Sequence, residues 1–281
     1  MTYNLSAIQL ISGNDPARNL HTLKRLLAQL SPAKEQLVLL PENALSFADK
    51  AHYLLLAELL GDGYYQAQLA DLARQYQCYL VCGSFPIKSR QSAKIYTTSL
   101  VFSPQGKLIC HYHKIHLFDA LVTDNKGVYK ESDTFIAGQD IQLFDWPVAD
   151  ACTPLKVGLT ICYDLRFPAL FQALRAQGAD IILVAAAFTK VTGKAHWQTL
   201  LQARAIENQC YIIAANQGGL HACGRETFGH SFIISPWGEI LSELQFGEGV
   251  IHGVFDKLLL EKLRRRMPLT LHNRFTTLLD K

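Results

Sequence analysis

Val157-Gly158-Leu159-Thr160-Ile161-Cys162-Tyr163-Asp164-Leu165-Arg166-Phe167-Pro168 passes from an apolar run into a helix start within a few residues. Leu155 to Ile161 reads as a buried strand, as Leu37 to Leu40 does, a continuous apolar run ended by Pro41. Pro168 suits the first turn of a helix, and Gly178 stops that helix after 168–177. A cysteine at so sharp a strand-to-helix turn is presented at the sheet edge, as the serine is in a nucleophile elbow. Backbone N–H groups that face an incoming carbonyl come with that geometry. Helix termini and a neighbouring cation would lower the thiol from its usual ~8.5, so a reactive thiolate is expected at Cys162. The bland alternative is a buried, inert cysteine.

Working outward, strands and helices alternate along the whole chain. Strands are predicted at 3–10, 37–40, 78–85, 95–102, 107–113, 155–161, 180–187, 210–215, 230–234, 239–244 and 250–255. Asn14-Asp15-Pro16 opens a helix whose Leu20, Leu23, Leu26, Leu27 and Leu30 fall on one face. Further helices are expected at 64–76, 168–177, 195–208 and 257–266. Ser103-Pro104-Gln105-Gly106 and Ser235-Pro236-Trp237-Gly238 each join two apolar strands, and Ser-Pro-x-Gly suits a type I turn. Their recurrence about half a chain apart suggests two related halves. The expected architecture is α/β, with two sheets packed face to face and helices outside each.

The 281 residues are 49% hydrophobic and 18% charged, a balance that fits one folded unit over 1–281 and not a disordered chain. A net charge of +3 is too small to argue for nucleic acid. The one basic cluster, Arg264-Arg265-Arg266, ends a predicted helix, where cations suit the negative end of the dipole. No run approaches the ~18 apolar residues of a membrane span. Met1-Thr2-Tyr3-Asn4 lacks the pattern of a signal peptide. Seven cysteines, mostly in apolar runs, read as reduced thiols, so a cytoplasmic location is expected.

Two further segments carry chemistry. In Leu39-Leu40-Pro41-Glu42-Asn43 a carboxylate stands at the C-terminal end of a buried strand, where α/β folds place their ligands. Glu42 is therefore a candidate general base, or else a solvated loop acid. In His111-Tyr112-His113-Lys114-Ile115-His116, alternation puts Tyr112, Lys114 and His116 on one face. Lys114 is a candidate fixed cation in a cleft, or else an edge-strand lysine that discourages aggregation. The three histidines lack the partners of a metal site, so metal is not expected.

Glu42, Lys114 and Cys162, in that order, resemble the Glu-Lys-Cys signature of the nitrilase superfamily of carbon–nitrogen hydrolases. The resemblance runs over nearly the whole chain. It implies a four-layer αββα sandwich, no cofactor, a homodimer or larger assembly, and amide hydrolysis through a thioester. It also implies a second glutamate, matched by Glu131, that orients substrate and lysine. The candidate substrate-binding residues are Glu131, Tyr163, Arg166 and Phe188, with Lys190 as a further basic candidate. Arg166 could equally pair with an acid. Tyr163 to Pro168 and Gly193 to Trp197 resemble amidases related to ω-amidase. Asn216 to His221 and Phe228 to Ser231 look closer to the deaminated-glutathione amidases. The expected substrate is deaminated glutathione, with α-ketoglutaramate or a non-catalytic thiol sensor as alternatives. Ala169 stands where the family often has Glu, a departure that could reshape the pocket.

Overall fold

The computed structural model describes residues 2–30, 36–124, 127–148 and 153–276; Met1 and Cys152 lie outside them. The first half runs β1 (Thr2–Gln9), α1 (Pro16–Leu27), β2 (Gln36–Leu39), α2 (Lys50–Leu56), α3 (Tyr64–Gln75), β3 (Cys78–Lys88), β4 (Ile95–Phe102) and β5 (Leu108–His113). A small hairpin follows, β6 (Asp119–Leu121) and β7 (Val128–Lys130). Then come β8 (Leu143–Trp146), β9 (Leu155–Ile161), α4 (Pro168–Ala176), β10 (Ile181–Ala186), α5 (Lys190–Asn208), β11 (Tyr211–Asn216), β12 (Ser231–Ile234) and β13 (Ile240–Leu244). The chain closes with β14 (Gly249–Asp256), α6 (Lys257–Arg266) and α7 (Leu269–His272).

Strand alternation sorts these elements into four layers. In β2, Leu37 and Leu39 point between the sheets, where they meet Leu159, Leu183 and Ile213. Val38 and Leu40 point outward and pack under Leu23, Leu27, Leu69 and Leu72 of α1 and α3. In β10, Ile181, Leu183 and Ala185 face the other sheet. Ile182, Val184 and Ala186 face Phe171, Trp197 and Leu201 of α4 and α5. Strands apolar on both faces are thus covered on both faces. The expected αββα sandwich is the observed one.

The halves are related as the repeated turn suggests. One sheet is ordered β14-β1-β2-β3-β4-β5 and the other β13-β12-β11-β10-β9-β8. In each, three consecutive strands pair in parallel, two antiparallel strands follow, and one antiparallel strand closes the far edge. The Ser-Pro-x-Gly turns occupy equivalent hairpins, β4–β5 and β12–β13. Gly106 N–H donates to Ser103 C=O at 2.8 Å and Gly238 N–H to Ser235 C=O at 2.9 Å.

Four features escape the sequence reading: α2, the β6–β7 hairpin, β8 and α7. The helix predicted from 195 begins at Lys190, because the Thr189 hydroxyl caps the N–H of Thr192. Arg264 does more than face a helix dipole. Its guanidinium bonds Asp180 at 2.7 Å and the carbonyls of Ala179 and Gln209, and so ties α6 to the second sheet. The reduced cysteines Cys78, Cys82 and Cys210 are buried, and burial pushes their thiols up to about 12, 12 and 11.

The segment after β11 bolts the halves together near the end of β2. Gln217 donates to the Glu42 carbonyl at 3.0 Å and to Ser12 Oγ at 2.9 Å. His221 donates from Nδ1 to the Ser12 carbonyl at 2.8 Å and stacks on Phe47 at 3.9 Å. Burial, with Arg225 nearby, pulls the His221 imidazole down to about 4. Below pH ~6.5 the unfolded chain takes up a proton here that the folded chain refuses, so stability falls as pH falls towards 4. Comparing urea midpoints at pH 7.5 and 5.0, the wild type should lose about 2 kcal/mol more than His221→Asn. Equal losses would mean that this imidazole is accessible to protons in the fold.

Candidate active site

Parallel strands β2 and β9, one from each sheet, lead to Glu42 and Cys162, while antiparallel β5 and β7 lead to Lys114 and Glu131. Glu42 follows β2 in a turn held by Asn43 N–H on Ser84 Oγ at 2.8 Å. Close packing of β3 fixes this turn: a Cβ on Gly83 would stand 2.1 Å from the Leu40 carbonyl oxygen, so only glycine fits. Lys114 follows β5 directly, its N–H on the Thr97 carbonyl at 2.9 Å. Glu131 opens a short 3-10 turn after β7. Cys162 opens another after β9, with a left-handed φ of 49°. That strained conformation aims the side chain off the strand axis, the elbow geometry the sequence suggests.

Lys114 Nζ lies between two carboxylates, 3.1 Å from Glu42 Oε1 and 2.8 Å from Glu131 Oε2. Glu131 also accepts from Thr97 Oγ1 at 3.2 Å and from Phe118 N–H at 2.7 Å. Lys114 is 2% exposed and Glu42 6%, so these charges meet away from water. An isolated ammonium at such depth would lose its proton. Burial does pull Lys114 down, but the fields of Glu131 and Glu42 outweigh it and hold the proton firmly.

A second buried acid braces the elbow. Asp164, fully buried, accepts from Ile161 N–H at 2.9 Å, Tyr112 Oη at 2.8 Å, His116 N–H at 3.1 Å and His116 Nδ1 at 2.7 Å. The Tyr112 hydroxyl in turn accepts from Ile115 N–H at 3.2 Å. The Tyr112 side chain before Lys114 and the backbone after it are thereby fastened to the turn that carries Cys162. His116 stacks on Phe167 at 3.7 Å and closes this brace from outside.

The expectation of a depressed thiol pKa is corrected. Cys162 is pushed well above its ordinary value, first by burial and then by the Glu42 charge. Lys114 and the Ala187 N–H oppose this without overcoming it. The thiol rests protonated, facing the Glu42 charge. Two carboxylates around one ammonium leave a surplus negative charge, and that charge faces the sulfur. Such a site suits proton transfer to a carboxylate as the sulfur attacks.

These groups open on one cavity of about 460 Å³, lined also by Tyr163, Arg166 and Phe188. Among the described residues Arg166 meets no acid; its guanidinium lies 5.4 Å from the Phe188 ring centre and 5.9 Å from that of Tyr163. Lys190 is overturned as a pocket cation: it is outside the lining and paired with Glu226 at 2.8 Å on the surface. The basic residues on the cavity wall missed from sequence are Lys50, Lys130 and Arg225, the last in a tight turn where no periodicity marks it. Ala169 is exposed and outside the cavity, so this departure leaves the pocket unchanged. Among the described residues, no group of three or more His, Cys, Asp or Glu could hold a metal ion.

A family model for carbon-nitrogen hydrolases matches residues 4–265. The deaminated glutathione amidase of Yersinia enterocolitica is 45% identical over 98% of this chain and 94% of its own. An omega-amidase of Xenopus laevis is 33% identical over 95% of this chain and 93% of its own. Among solved structures, the C. elegans NitFhit protein aligns with a TM-score of 0.88 and 31% identity, over all of this chain and 68% of that one. The chain belongs to the carbon–nitrogen hydrolase family.

Proposed function

We propose that this chain is an amidase whose nucleophile is Cys162, and that its substrate is deaminated glutathione. The observation that carries the chemistry is a buried thiol facing the Glu42 charge, beside an ammonium held between two carboxylates. Glu131 receives four hydrogen bonds from three donors and serves to hold Lys114. Glu42 receives one Lys114 bond at Oε1, which leaves Oε2 for a proton. The division of labour follows: Glu131 positions, Glu42 shuttles protons, and Lys114 meets developing negative charge.

In acylation, Glu42 takes the Cys162 proton as sulfur attacks the carbonyl carbon. The oxyanion is met by Lys114 Nζ and the Tyr163 N–H. Collapse breaks the C–N bond, and Glu42 returns its proton to the departing nitrogen. In deacylation, Glu42 takes a proton from water as its oxygen attacks the thioester. The carboxylic acid leaves and the proton returns to sulfur. Dividing the hydrolysis this way replaces one high barrier with two lower ones.

The substrate rests on the relatives' names and on the cavity. Deaminated glutathione carries two carboxylates, and Arg166 and Arg225 supply two cations. Its hydrolysis releases 2-oxoglutarate and cysteinylglycine. The segment resembling the deaminated-glutathione amidases, Asn216 to His221, grips the Glu42 carbonyl and the Phe47 ring beside the cavity. The Xenopus relative gives the second reading, α-ketoglutaramate. Reduced thiols fit a cytoplasmic enzyme, and no helix of the described residues is long and apolar enough to cross a membrane.

We also propose a homodimer. Ile206 and Trp237, adjacent where α5 meets the β12–β13 turn, are 48% and 60% exposed, and Leu258 on α6 is 64% exposed. Light scattering should give about twice the 31.4 kDa chain mass, and a monomer at micromolar concentration would refute this. Cys162→Ala should fold normally and lose at least ~10⁴-fold in turnover. Residual activity above about 1% of wild type would rule out Cys162 as nucleophile. The purified enzyme should cleave deaminated glutathione faster than α-ketoglutaramate; the reverse order would change the substrate and leave the chemistry standing.

A further inference from the structure

We infer that Arg225 selects the leaving group, by binding a carboxylate carried on the departing amine. This inference rests on the proposed dipeptide leaving group.

Two guanidinium groups border the cavity, and among the described residues neither pairs with a carboxylate. They belong to different walls. Arg166 sits on the Cys162 turn, against Tyr163 and Phe188. The acyl group stays bound to that sulfur, so Arg166 serves the acyl carboxylate. Arg225 lies over Phe47, 4.4 Å from the ring centre, and 5.4 Å from that of Tyr129. Phe47 belongs to the loop that Glu42 opens. Glu42 hands its proton to the departing nitrogen, so the amine leaves along the wall where Arg225 stands.

Arg225 is also held for this work. It lies in a turn closed by the Leu220–Glu226 bridge and by His221 N–H on its own carbonyl at 2.9 Å. His221 stacks on the same Phe47 ring at 3.9 Å and fixes the platform. Stacking occupies the guanidinium face and leaves in-plane N–H groups for a carboxylate, a geometry that lysine could not reproduce. Ammonia carries no carboxylate, so this contact favours peptide-like amides over primary amides.

The test uses the full-length enzyme and Arg225→Met on three substrates sharing the 2-oxoglutaryl group. One carries cysteinylglycine, one the same dipeptide ending in a carboxamide, and one is the primary amide. On the first, kcat/KM should fall about 10–100-fold, mostly through KM, with less than ~3-fold loss on the other two. The wild type should prefer the free carboxylate to the carboxamide, and the variant should not. Equal losses on all three would overturn the inference by making Arg225 a support of the reacting centre or the fold. Cleavage of the dipeptide substrate with an indifferent variant overturns this inference alone. A wild type that cleaves only the primary amide overturns it together with the proposed substrate.

Discussion

A buried ammonium cannot stand alone, and the architecture around Lys114 answers that constraint. Removing one partner of such an ion pair typically costs 3–5 kcal/mol, since the remaining charge is left without solvent or counter-ion. Glu42 and Glu131 must therefore arrive together with the lysine. They come from the end of β2 and from the turn after the β6–β7 hairpin. Loops that would otherwise wander are fixed because the charge demands it. The hairpin, too short to be stable alone, gains its purpose from Glu131 and from Phe118 N–H beneath it.

Asp164 extends the same logic to the other sheet. It takes hydrogen bonds from the backbone before Cys162 and from side chain and backbone groups flanking Lys114. Two sheets packed only through apolar contacts could slide by fractions of an ångström. Asp164, Tyr112 and His116 pin them where the sulfur and the ammonium must keep register. Catalytic geometry is sensitive on that scale.

Much of this was legible in the sequence because burial on both faces of a strand leaves an unmistakable apolar run. Leu37–Leu40 and Ile181–Ala187 carry that mark, and in Leu155–Ile161 Leu155, Val157, Leu159 and Ile161 alternate along one face. Glu42 and Cys162 follow the first and the last of these strands. The elements that escaped are too short for periodicity: β8 and α7 have four residues each, each hairpin strand three, and α2 seven. Arg225 escaped because a cation in a loop looks like any solvated charge until Phe47 and Tyr129 close round it. The thiol was misread for a different reason. Counting the nearby lysine captured one field, but burial and the facing Glu42 charge depend on distances that no local pattern encodes.

The partner of β1 lies almost a full chain length away. Thr2 to Gln9 align with Asp256 to Gly249 in antiparallel register. During synthesis, therefore, the earliest strand must wait with one edge bare until nearly the last strand emerges from the ribosome. Unpaired strand edges invite association with other chains. The nascent first half is consequently the interval of greatest exposure to chaperones and to misassembly, and the enzyme is completed only when its tail comes back to its head.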